Sequence, residues 1–221
     1  MKHPVKVVLA SAVVSLLVAG VANAAFAPKF SLKLSDTKVL ANPTFDIHFE
    51  LSKEDEEIGN FQLLLPKGFN IAADGDIPNN EKIGGGQIKI EAGPGCRPGS
   101  PIPASAPATV NATIVEKDRT DDEADAGVHA VWFLNLEPLN RVRLLVTGSK
   151  LTGWKVEGAP TPSDNTCNPL TVDLKINGKS ESGIPLITNP KKPRQKVITA
   201  NIISQDSPAI ATFNVPVQFT R

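Results

Sequence analysis

The chain has 221 residues, with 23 Lys and Arg set against 23 Asp and Glu, and it contains no tyrosine. A formal net charge of zero removes any global attraction to nucleic acid or to an anionic surface. At 41% hydrophobic and 21% charged residues, the composition excludes an intrinsically disordered chain.

The first segment reads as an export signal. Lys2, His3 and Lys6 form a short basic region before an apolar run from Val7 to Val21, and Ala22-Asn23-Ala24 offers small residues for cleavage after Ala24. The run is shorter than the roughly 20 residues a spanning helix needs, and no second apolar run follows it. The expectation is a secreted or envelope-associated protein without a transmembrane anchor, residues 1–24 being removed. The remainder, residues 25–221, can bury roughly 70% of its unfolded surface in a core of its own.

Beyond the signal, apolar and polar residues alternate with the period of a half-buried strand. Phe30, Leu32 and Leu34 open the series, and Phe45, Ile47, Phe49 and Leu51 continue it. Phe61–Leu65 and Val128–Leu136 are more continuous and predict strands buried on both faces. Ile83–Ile90 and Val110–Val115 lie between them. Val142, Leu144 and Val146 follow, then Leu170, Val172, Leu174 and Ile176, then Val197–Ile203, and finally Phe213, Val215, Val217 and Phe219. Ser52–Glu57 is the only stretch of helix-like composition. Turn signals stand between the strands at Pro66-Lys67-Gly68, Asn177-Gly178-Lys179 and Asn189-Pro190, with Asn177-Gly178 the best hairpin turn. The predicted fold is all-β, an antiparallel Ig-like β-sandwich of about ten strands. It is either a single elaborated sandwich or two joined near residues 98–107, where Pro, Ser and Ala dominate. A membrane barrel would need longer strands and girdles of aromatic residues that this chain lacks.

Cys96 and Cys167 each sit in a Pro/Gly/Asn-rich loop. In an oxidising compartment they predict one disulfide, closing a loop of about 72 residues. Zinc or redox chemistry would need partners such as a CxxC pair, which the sequence does not contain.

Catalytic chemistry has little to build on. There is no GxSxG motif, and His48 alternates with the apolar face of its strand and so points to solvent. Asp118, Asp121, Asp122, Glu123 and Asp125 crowd together before Gly127 and could supply oxygen ligands to Ca²⁺, although their spacing matches no EF-hand. A solvated acidic hairpin tip is the simpler reading, and no cofactor is required. Trp132 reads as core, leaving Trp154 as the exposed aromatic that could stack on a sugar ring. Lys191, Lys192, Arg194 and Lys196 form a basic run that could grip an acidic polymer. The alternating tail Ala211–Phe219 either closes the protein's own sheet or is donated to a neighbour.

Three segments together carry a resemblance. Leu-Pro-Lys-Gly-Phe ends at Phe69, "IGGGQIKIEAGPGC" ends at Cys96, and Thr166-Cys167-Asn168-Pro169 precedes a late strand. In this order the chain resembles bacterial, especially actinobacterial, exported β-sandwich proteins without an assigned activity. That resemblance implies a secreted Ig-like module and brings no catalytic residues. The expected function is non-catalytic, by surface recognition or as a structural component of the envelope. The expected partner class is a cell-wall polymer or another envelope protein, and not nucleic acid. A fimbria-like subunit assembling by strand donation and a secreted Ca-dependent or hydrolytic module are the alternatives.

Overall fold

A computed structural model describes residues 26–52, 58–90, 107–137, 141–159, 169–194, 196–205 and 207–221. In chain order the first strands are β1 (Lys29–Leu34), β2 (Phe45–Glu50), β3 (Ile58–Leu65), β4 (Asn70–Ile71), β5 (Lys82–Ile90) and β6 (Ala108–Lys117). A one-turn helix, α1 (Asp121–Asp125), separates β6 from β7 (Val128–Glu137). Next come β8 (Arg141–Ser149), β9 (Gly153–Ala159), β10 (Pro169–Ile176), β11 (Ile187–Thr188), β12 (Val197–Ser204) and β13 (Ile210–Pro216).

Eleven of the strands form one antiparallel sheet in the order β1-β2-β10-β5-β6-β7-β8-β9-β3-β12-β13. The expected all-β antiparallel class is therefore what the chain adopts. The ladder is nevertheless continuous: the layers expected of a sandwich are joined edge to edge and curl around a common interior. Strands from both sides of residues 98–107 alternate within it, since β10 pairs with β5 and β5 pairs with β6.

Curling follows from side-chain parity. Each strand sends alternate residues inward, and burying them requires the sheet to wrap on itself. Phe45, Ile47 and Phe49 of β2 are buried, as are Ala130, Trp132 and Leu134 of β7 and Ile198, Ala200 and Ile202 of β12. Phe49 stacks on Phe61 of β3 at 6.2 Å between ring centroids, although β2 and β3 are far apart in the ladder. At the seam where the two edges approach, Phe30 of β1 packs on Phe213 of β13 at 5.2 Å. An odd number of alternating strands leaves β1 and β13 running the same way. The seam is accordingly fastened by a parallel bridge, Lys38 opposite Thr220, with Val39 N–H donating to Thr220 O at 2.9 Å.

The two ends of this curled sheet differ. One end is covered: β4 and β11 form a small antiparallel ladder, and Ile77, Leu186 and Ile187 plug the interior. Residues 53–57, 91–106, 138–140 and 160–168 lie outside the described residues. The helix-like stretch Ser52–Glu57 falls mostly there, and so do both cysteines.

Asn177-Gly178 does not make the tight hairpin expected of it. Gly178 instead begins an excursion across the covered end, its carbonyl accepting from Leu186 N–H at 2.9 Å. A side chain at this position would strike the Asn42 carbonyl, 2.1 Å from an added Cβ, so a close backbone approach dictates the glycine.

Candidate functional site

The acidic segment after β6 is organised as a helix cap. Thr120 Oγ1 accepts from Glu123 N–H at 3.3 Å, and the Glu123 carboxylate accepts from Thr120 N–H at 2.7 Å, a reciprocal capping box. Glu123 also pairs with Arg143 of β8, and Asp118 accepts from Asn79. Asp121, Asp122 and Asp125 stand exposed. Among the described residues no three His, Cys, Asp or Glu side chains converge to hold a metal ion, so these five do not assemble into the Ca²⁺ ligand set considered above. The sequence Thr120-Asp121-Asp122-Glu123 is the capping-box signature, and it carried this information.

Trp154 corrects an expectation. It is 5% exposed, not a sugar platform. Gly153, at φ +99°, ends the β8–β9 hairpin, and Trp154 is the first inward residue of β9. Its Nε1–H donates to Phe69 O at 2.9 Å, and its ring lies 4.5 Å from that of His129. His129 is half-buried, its Nε2 3.0 Å from Ile71 O.

Two polar assemblies occupy the outer face. On β2 and β10, His48 Nδ1 lies 2.7 Å from Asp173 and Nε2 lies 3.3 Å from Glu50, which in turn meets Lys29 at 3.3 Å. Ser31 stands opposite His48 across the ladder, in the serine–histidine–aspartate order of a hydrolytic triad. Both ring nitrogens are committed to carboxylates, however, so the imidazole is not presented to Ser31 as a base. The hydrogen bond to Asp173 raises the His48 pKa above its usual 6.5; burial opposes the rise, and the charge of Asp173 and the contact with Glu50 add to it. The second assembly crosses four strands. Gln62 donates to Glu157 at 2.6 Å, Asn201 to Gln62 at 3.2 Å, and Thr212 to Asn201 at 3.0 Å. Burial opposes the charge on Glu157, but Lys155, Gln62 and Asn60 outweigh it and hold its pKa low.

The His48 group makes a pH prediction. Because the folded pKa is raised, its contribution is complete below about pH 6.5 and is lost as pH rises through the raised value. The side chains are partly open to solvent, so the effect stays under about 1 kcal/mol. Thermal melts of Asp173→Asn against the parent should show a deficit at acid pH that disappears in mild alkali. A deficit that is equal at all pH values would contradict this assignment.

A residue overlooked in the sequence is Glu116. It is 2% exposed, continuing the inward series Val110, Ala112, Ile114 of β6, and it lies opposite Trp132 of β7. Neither of its carboxyl oxygens nor the Trp132 Nε1 completes a hydrogen bond. Burial pushes its pKa up to about 8; the nearby indole tempers the rise, and Asp74, Asp118 and Asp76 reinforce it. Strict alternation from Val110 was the available signal.

Of the remaining candidates, Lys191, Lys192, Arg194 and Lys196 are exposed between β11 and β12. Most of the tail Ala211–Phe219 lies in β13, which is already paired along β12 from Val197 to Ile203. Comparison with known proteins adds no relative: no family model, no curated protein and no solved structure matches this chain at a significant level.

Proposed function

We propose that this is an exported, non-catalytic protein of the bacterial envelope or extracellular space, acting by surface recognition or as a structural component. One observation carries the reading. The interior is filled by apolar side chains, with Glu116 the one buried charge among the described residues. Groups able to meet a partner therefore stand on the outer faces and at the covered end. Such a surface recognises and does not transform. Fractionation of an exporting host is the test: the expected result is protein in the medium or envelope lacking residues 1–24. Retention in the cytoplasm with an intact N-terminus would contradict it.

A Cys96–Cys167 disulfide and kinship with Ig-like sandwiches belong to the same proposal. Support for the disulfide comes from the flanking strands. Pro169 of β10 lies opposite Ile90 of β5, Cys96 follows Ile90 by six residues, and Cys167 precedes Pro169 by two. At about 3.3 Å per extended residue, those lengths can bring the two Cα atoms within disulfide range. Reduction should cost about 4 kcal/mol in the chain-entropy model, lowering the melting temperature by about 10 °C. A melting temperature indifferent to reductant would contradict the bridge.

A further inference from the structure

The protein is neutral overall, yet its covered end is electrostatically divided. Asp74, Asp76, Asp118 and the α1 acids occupy the β6–β7 side. The opposite side, around the seam, is built from segments 37–42, 66–68, 149–152, 189–194 and 196–197, whose sequences hold no Asp or Glu. Backbone contacts tie these segments into one surface. Asn189 N–H donates to Ala41 O at 2.8 Å, Gly68 N–H donates to Lys150 O at 2.9 Å, and a Cβ on Gly68 would lie 3.0 Å from Pro190. Exposed on this surface are Lys67, Lys150, Lys191, Lys192 and Arg194. Asp36, at its border, turns its carboxylate to the Lys38 N–H at 2.8 Å.

The same surface carries apolar side chains that the fold leaves in water. Of the exposed large hydrophobics among the described residues, Leu151 (81%), Leu40 (54%) and Val197 (44%) all lie here, and only Ile210 lies elsewhere. Leu40 is also held at φ +62°, a left-handed conformation that a branched side chain adopts at a cost. A strained, exposed leucine among lysines gains nothing for the fold. Cations flanking protruding leucines suit an interface whose outer layer is anionic and whose depth is apolar.

We propose that this leucine-tipped basic face docks peripherally on an anionic phospholipid bilayer. Lys191, Lys192 and Arg194 engage the phosphate headgroups, and Leu40 and Leu151 enter the headgroup–acyl boundary. A soluble acidic polymer would use the cations and leave the leucines idle. The inference deepens the proposed function by naming a partner, and it rests on that reading only in placing the protein where such a bilayer is met. Its failure is separable, because vesicle binding can be absent from a protein that is correctly exported.

The test is co-sedimentation of the exported protein with phosphatidylcholine vesicles, with and without phosphatidylglycerol, at low and high salt. Binding is expected only where phosphatidylglycerol is present, and it should weaken with salt. Replacing Lys191, Lys192 and Arg194 together by Gln should weaken it about a hundredfold. Leu151→Ser should weaken it roughly tenfold, with both variants melting like the parent. No binding to anionic vesicles, or undiminished binding by the triple variant, would overturn the proposal. So would a Leu151→Ser protein that binds like the parent while soluble polyphosphate competes, since that marks a polymer-binding face.

Discussion

Gly86→Ala is expected to leave the protein unable to fold, or less stable by more than about 5 kcal/mol, beyond the reach of ordinary substitutions. Gly86 lies in β5, an interior strand paired on both sides, with β10 and with β6. A Cβ there would sit 1.9 Å from the Asp173 carbonyl oxygen, and one on Gly84 would sit 2.2 Å from that of Lys175. Both obstacles are backbone atoms of β10, so no side-chain rotation relieves them, and moving β10 would break its ladders to both β2 and β5. Gly75→Ala is the matched control. Its added methyl meets open space, and only its φ of +82° opposes the change, which should cost about 1 kcal/mol. Expression and chemical denaturation of the two variants make the comparison. Equal stabilities would mean that β5 and β10 do not approach as described.

Glu116→Gln should remove a large pH dependence from the folding equilibrium. The ordinary glutamate value is 4.5, and the folded value is about 8. Between these pH values the unfolded chain releases a proton that the folded chain keeps. Stability therefore falls as pH rises through the window and levels off above it. At 1.36 kcal/mol per pKa unit the total is about 4–5 kcal/mol. Glutamine keeps the shape and cannot ionise, so the variant should lack this slope and overtake the parent in alkali. Denaturation series across the window, compared as parent minus variant, measure it. Parallel curves would show that Glu116 is solvated or paired in solution.

Strand placement was largely legible because it rests on local alternation. Phe30, Leu32, Leu34 and Phe45, Ile47, Phe49 mark β1 and β2 by parity alone, and the same holds for β10 and β13. The two-residue strands β4 and β11 were not legible, since neither Asn70-Ile71 nor Ile187-Thr188 is long enough to show a period. Closure into a single sheet was also hidden. It depends on which strands become neighbours, and β10 settling between β2 and β5 is a long-range event with no local mark. The site residues divide along the same line. The outward placement of His48 followed from parity, whereas its partner Asp173 lies 125 residues away. Trp154 was misjudged because Gly153 and Lys155 look like turn residues, when the glycine only ends the hairpin. Glu116 was missed because a carboxylate does not announce burial. The parity of β6 had already assigned it to the interior.

The proposed function is that of an exported protein, stapled by a disulfide in an oxidising compartment, that meets its partners through its surface. Intact mass of the protein recovered from the host's medium and envelope, with and without reductant, tests it most directly. The expected mass fits Ala25–Arg221 less the two hydrogens of a Cys96–Cys167 bridge, restored on reduction. A retained Met1, free thiols or a covalent adduct would contradict it.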